Sequence, residues 1–194
     1  MKSNYKQLLA MIITLVTIAV ASAFILGEVE NFTKKPIADA QKANELAAIA
    51  AVVSDFDNNP FAEKMIITTS DKKHKLEFFP ARKDGIINSF AVKTYSNAGF
   101  GGRIEMIVGF YIDGAIKNYV VTSNHETPGL GSKINDHNFK QQFDGFNPQK
   151  KILKVRQDGG DVDAVTAATI SSRAVLDAIN RAWDAYNNFN STGN

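Results

Sequence analysis

Hydrophobic spacing divides the chain into three stretches. The first is a run from Leu8 to Leu26 without a single charged residue. As a helix it spans roughly 28 Å at about 1.5 Å per residue, close to the hydrocarbon thickness of a bilayer. Lys2 and Lys6 precede it, and Glu28 and Glu30 follow. Basic flanks stay cytoplasmic, so the pattern predicts a cytoplasmic N-terminus over 1–7 and a transmembrane anchor over 8–27. The remainder then lies on the extracytoplasmic side of the cytoplasmic membrane. A cleaved signal peptide is the alternative, because Ala21-Ser22-Ala23 resembles a small-residue cleavage site. Phe24, Ile25 and Leu26 carry the apolar run past that point, which favours a retained anchor.

The second stretch has helical spacing. Ile37, Ala40, Ala43, Leu46, Ala50 and Val53 recur at three- and four-residue intervals. Thr33-Lys34-Lys35-Pro36 reads as the start of this helix, with Pro36 in its first turn. Asn58-Asn59-Pro60 ends it, so 28–60 is read as a stalk or packing helix.

Beyond residue 60 the pattern turns strand-like. Met65 to Thr69, Lys75 to Phe79 and Ile87 to Tyr95 are β-rich, punctuated by Ser70-Asp71 and Lys83-Asp84-Gly85. Ile104 to Ile112 is a strong strand, Asp113-Gly114 a hairpin turn, and Ala115 to Thr122 the return. A loop rich in Gly and Pro runs from Ser123 to Ser132, and Lys151 to Val155 is one more short strand. A last helix covers Ser171 to Asn188, with Leu176, Ile179, Trp183 and Tyr186 on one face. The fold class is therefore α+β: an antiparallel β-sheet domain (61–190) flanked by helices and preceded by a single N-terminal transmembrane helix. Residues 191–194 form a frayed tail.

Composition narrows the function. Setting Lys2 and Lys6 apart from the 22 basic residues leaves 20 basic against 20 acidic, so the body carries no basic surface for nucleic acid. There is no cysteine. That excludes disulfides, thiolate chemistry and cysteine-ligated iron–sulfur or zinc sites. His125 sits beside Glu126, but no second histidine follows four residues on, and His74 and His137 are remote in sequence. No metal site is expected.

The informative segment is Asp163-Ala164-Val165-Thr166-Ala167-Ala168-Thr169-Ile170-Ser171-Ser172. It is small and hydroxyl-rich, and it sits just ahead of the last helix. Free amides and the dipole at a helix N-terminus attract anions, so a phosphate at Thr169 would be well placed. Ordinary capping explains the same residues, since Thr and Ser are preferred N-caps. Spacing alone leaves both open. The loop His125-Glu126-Thr127-Pro128-Gly129-Leu130-Gly131 is the second candidate. Gly129 and Gly131 permit close approach to a flat ligand, and Pro128 stiffens the turn. Thr127 can hydrogen-bond a ligand edge, Leu130 can pack on a ring face, and Lys133 can neutralise a phosphate. A tight structural turn is the plainer reading of the same loop.

Asp163-Ala-Val-Thr-Ala-Ala-Thr169 resembles the flavinylation motif of FMN-binding domains. Asp163 matches the leading aspartate, Thr166 the Ser/Thr, Ala168 the alanine and Thr169 the acceptor; Ala167 stands where the family usually has glycine. The His125–Ile134 loop is similar to one typical of the G subunit of the Rnf electron-transport complex and of the C subunit of the sodium-pumping NADH:quinone reductase. Gly99-Phe-Gly-Gly102 before a long strand, the Ile112-Asp-Gly114 turn and the N-terminal anchor follow in the family's order. The resemblance spans nearly the whole chain, and its short length favours the Rnf G subunit. It implies an electron-transfer subunit of a membrane-bound, ion-translocating ferredoxin/NAD oxidoreductase. FMN would be bonded through its phosphate to Thr169 by a flavin transferase, and the other membrane subunits would be partners. Cofactor contacts would then come from Asp163, Thr166, Ala167, Ala168, Ser171 and Ser172, and from Thr127, Gly129, Leu130, Gly131 and Lys133. No residue need act as acid, base or nucleophile on a substrate, so no catalytic residue and no stand-alone turnover is expected. The rivals are a stand-alone extracytoplasmic flavin reductase and a non-redox anchored scaffold in which the threonine motif is a helix cap.

Overall fold

The structure, a computed structural model, describes residues 2–53 and 55–191. The chain divides into two compact units, residues 1–44 and 45–194.

The first unit is helical. Its described residues, 2–44, lie within α1 (Lys2–Val52), whose apolar side chains from Leu8 to Leu26 are exposed. A core helix would bury such a run; this one is long and apolar enough to cross a membrane, with mean hydropathy reaching 2.6 over 18 residues. The expected helix start at Thr33–Pro36 does not occur, because α1 continues through Pro36. Proline removes one intrahelical N–H bond and crowds the preceding turn, a penalty of about 3 kcal/mol. Strong helix formers on both sides, above all the alanine-rich 38–51, outweigh that local loss.

The second unit is built on a five-stranded antiparallel meander: β1 (Met65–Thr68), β2 (Lys75–Lys83), β3 (Ile86–Gly99), β4 (Gly102–Tyr111) and β5 (Ile116–Ser123), paired in that order. Local chemistry sets the hairpins. Asp84 and Gly85 both have positive φ (51° and 77°), as the two-residue turn between β2 and β3 demands. Gly114, at φ 81°, closes the β4–β5 turn by donating its N–H to Tyr111 O.

Side chains alternate between the two faces of a strand, and here both faces are buried. Leu76, Phe78, Phe90, Val92, Met106, Val108 and Phe110 point to one side, where α3 (Thr169–Ser191) packs through Val175, Ile179, Ala182 and Tyr186. Phe79, Ala81, Ala91 and Ile107 point to the other, against Ala48, Ile49, Val52 and Val53. The expected α3 face is the one observed, with Leu176, Ile179 and Tyr186 buried and Trp183 half-buried. The helix itself is longer than expected at both ends.

Lys151–Val155 is not a strand. Only Val155 makes a bridge, parallel to Val162. Its amides are satisfied locally: Ile152 N donates to Asp161 Oδ2 at 2.7 Å, and Lys154 N to Ile152 O at 2.8 Å. The segment is held by turns while Leu153 and Val155 fill the core. Of the expected tail, Ser191 is still helical and 192–194 lie outside the described residues.

Candidate functional site

Three segments meet at the N-terminus of α3: the β3–β4 turn at 99–102, the loop that follows β5, and the turn 165–168 that leads into the helix. Ala168 N donates to Val165 O at 3.0 Å, and Ala167 between them has φ 61°. A positive φ at the third position is the pattern of a type II turn, which favours glycine there. Ser172 reaches back to clip this turn, accepting from Val165 N at 2.9 Å and donating to Ala168 O at 3.0 Å. Ser172 is fully buried, so its hydroxyl holds the turn. Thr169 is thereby set, half-buried, as the first residue of a 23-residue helix. Its first-turn amides have no intrahelical acceptor by geometry.

Glu126 joins the three segments. It is 6% exposed. Its Oε2 accepts from Ser171 Oγ at 2.6 Å, across 45 residues of sequence, and its Oε1 accepts from Gly101 N at 3.1 Å. Two glycines make room. A Cβ on Gly131 would lie 2.3 Å from Glu126 Oε2 and 2.8 Å from Ser171 Oγ, and one on Gly101 would lie 1.9 Å from His125 O. The close approach that Gly131 permits is thus first of all to Glu126 and Ser171.

A cavity of about 360 Å³ opens here, lined by Glu126, Thr127, Leu130 and Gly131 from the loop and by residues 167–171 and Phe100. Of the expected site residues, Thr127, Leu130, Gly131, Ala167, Ala168, Thr169 and Ser171 meet around it. Asp163, Thr166 and Lys133 instead line a second cavity with Asp136, Phe139 and Gln142. Asp163 pairs with Arg156 at 2.5 Å on the surface. Gly129, at φ 74°, donates its N–H to Ser132 Oγ at 2.9 Å and shapes the loop. Deeper along α3, Arg173 grips Asp158 through two 2.8 Å bonds, which hold that carboxyl below its usual range.

Phe100, Glu126 and Ile170 line this cavity too, beyond the cofactor contacts that the sequence predicts. Phe100 was legible in principle, since a phenylalanine between glycines in a turn has nothing of its own element to pack on. Phe100, Leu130 and Ile170 are 68%, 45% and 48% exposed, three large apolar groups around one opening. Exposed apolar clusters of this kind mark ligand-binding sites.

The model of the FMN-binding domain family matches residues 99–184. The G subunit of the ion-translocating oxidoreductase complex of Erwinia tasmaniensis is 34% identical over 181 residues, covering 86% of this chain and 85% of that protein. The corresponding G subunit of Vibrio cholerae is 34% identical over 141 residues, covering 68% and 67%. This chain belongs to the family of these G subunits. The crystal structure of Shewanella oneidensis NqrC superposes with a TM-score of 0.50 at 22% identity, covering 74% of this chain and 71% of that one, and shows the shared fold.

The residues present fit a flavin nucleotide. The cavity volume lies within the ~300–1,000 Å³ of small-molecule sites. Phe100, Leu130 and Ile170 offer apolar surface for a flat ring, and the start of α3 offers amides and a dipole for a phosphate.

Proposed function

We propose that this protein is an electron-transfer subunit that carries FMN covalently on Thr169. The observation that carries the reading is the placement of Thr169 as the first residue of α3, on the wall of a cavity rimmed by exposed apolar side chains. The family match over 99–184 covers every segment that builds this cavity.

The bond is made in a flavin transferase's active site. There the Thr169 hydroxyl would attack the flavin-side phosphate of FAD: its oxygen–phosphorus bond would form as the pyrophosphate bond breaks, with AMP as the leaving group and the hydroxyl proton passing to a base of the transferase. Asp163 and Thr166, both exposed beside the attachment turn, serve this reaction as the motif presented to the transferase.

Bound FMN supplies one- and two-electron chemistry, and the protein's part is to bind, orient and shield it. Ser172 and the 165–168 turn fix the acceptor. Phe100, Leu130 and Ile170 exclude water from the ring. Thr127, exposed on the cavity wall, offers hydrogen-bonding groups to the ligand edge. The G-subunit relatives belong, by name, to ion-translocating oxidoreductase complexes. On that basis the partners are other membrane subunits of such a complex, linking ferredoxin and NAD oxidation–reduction to ion movement. Lys2 and Lys6 ahead of the span support an extracytoplasmic domain.

Intact mass with tandem fragmentation tests the reading. Protein co-produced with a flavin transferase should gain one FMN phosphoester, on the peptide that contains Thr169, and keep its yellow colour on denaturation. Thr169→Ala should carry none. Covalent flavin retained in Thr169→Ala, or wild-type protein bare at Thr169, would sink it.

A further inference from the structure

Glu126 is unusual for a carboxylate. It is almost fully buried, it accepts from the neutral donors Ser171 Oγ and Gly101 N, and it lines the same cavity as Thr169. The cations two residues beyond its partners Gly101 and Ser171 are engaged elsewhere: Arg103 pairs with Glu105 at 2.7 Å and Arg173 with Asp158 at 2.8 Å. Lys133 lines the second cavity. Among the described residues no cation forms an ion pair with Glu126.

A buried charge without a countercharge is costly, and a neutral glutamine would have filled the same volume. The fold nevertheless makes space for it on two sides. A Cβ on Gly99 would sit 2.6 Å from Oε1 and one on Gly131 2.3 Å from Oε2. The carboxylate also joins three segments remote in sequence: the 99–102 turn, its own loop and the first turn of α3. Glu126 N donates to Asn124 Oδ1 at 3.1 Å, which sets the loop's entry. In a site shielded from water, a fixed negative charge acts on any charge that develops nearby far more strongly than it would in solvent.

We propose that Glu126 is the positioning and potential-setting residue of this site. It latches the 125–131 loop to the start of α3 and to the glycine turn, and its negative charge opposes the build-up of electron density on the bound flavin. The flavin is thereby held at a lower reduction potential than a neutral side chain would allow. This rests on the flavin reading above.

The experiment uses the full-length protein in detergent, loaded with FMN by a flavin transferase. Loading is verified by intact mass, and the potential is read by spectroelectrochemical titration. Wild-type protein that takes up no flavin refutes the flavin reading itself, and is recognised at the mass step before any potential is measured. In loaded protein, Glu126→Gln keeps shape and removes charge, so its potential should rise above wild type. Glu126→Asp keeps the charge and should stay nearer wild type than Glu126→Gln does. Ser171→Ala cuts the tie between Glu126 and the first turn of α3, so the fraction of protein loaded with flavin should fall. A potential in Glu126→Gln equal to or below wild type overturns the proposal. Should Glu126→Gln fail to fold or load, Glu126→Ala, which also removes the charge, decides: a raised potential supports the proposal, and an unchanged or lowered one overturns it.

Discussion

Ala167 occupies a left-handed backbone conformation, φ 61°, at the position of the 165–168 turn where the flavinylation motif that the segment resembles usually has glycine. An L-residue pays roughly 1 kcal/mol or more for that region, and the turn holds it there through the Val165–Ala168 bond and the Ser172 clip. Ala167→Gly relieves the strain while loosening the unfolded chain, two effects of opposite sign. Strain relief should win at a positive φ. We expect Ala167→Gly to raise stability by about 0.5–1 kcal/mol in urea unfolding, with flavin loading at least as complete as in wild type. A loss of stability would mean that the turn holds alanine without strain. The motif itself was legible in sequence, but Ala167's backbone angle was not, because alanine carries no preference for the left-handed region. Glu126 was read in sequence only beside His125. Its role depends on Ser171, 45 residues away.

At the scale of elements, the helix and strand spacings were sufficient where both faces of an element have defined neighbours. Every expected strand from Met65 to Thr122 exists, and β2 and β3 run past their expected ends because Pro80–Lys83 and Ser96–Gly99 continue to pair. Lys151–Val155 misled because its alternating buried residues, Leu153 and Val155, serve a turn and a single bridge as well as they would a strand. Between β5 and the segment after the site loop, Tyr119 is the fastener. It is fully buried and its hydroxyl donates to Ile134 O. Burial pushes its pKa up from the ordinary value of about 10. A group whose folded pKa is raised contributes its full stability below the unfolded pKa and loses it as pH rises above that value. Tyr119→Phe should therefore be about 1–3 kcal/mol less stable at neutral pH, since Ile134 O loses its partner. Wild type's advantage should shrink by up to about 1.4 kcal/mol per pH unit above roughly pH 10. Paired urea titrations at pH 7 and pH 11 check this, and a constant difference would remove Tyr119 as the cause.

For the whole molecule, the chain's lack of cysteine makes its orientation in the membrane directly measurable. Asn187→Cys places a thiol on an exposed position of α3 away from the site, and Tyr5→Cys places one ahead of the apolar run. In intact cells or spheroplasts, a membrane-impermeant maleimide should label Asn187→Cys and spare Tyr5→Cys until the membrane is broken. The opposite pattern would turn the domain inward and overturn the extracytoplasmic placement proposed above.

The amino-acid sequence by itself determined the apolar span, the order and faces of the strands, the Asp84-Gly85 and Gly114 turns, and the small hydroxyl-rich start of α3. Each follows from periodicity or turn chemistry within a few residues. Tertiary structure alone decided that Phe100, Glu126, Leu130 and Thr169 share one cavity, and that Asp163, Thr166 and Lys133 stand at another. Those outcomes depend on contacts such as Gly101 to Glu126 and Glu126 to Ser171, 25 and 45 residues apart. No local preference encodes them; they arise from the packing that brings the ends of β3 and β5 to the start of α3.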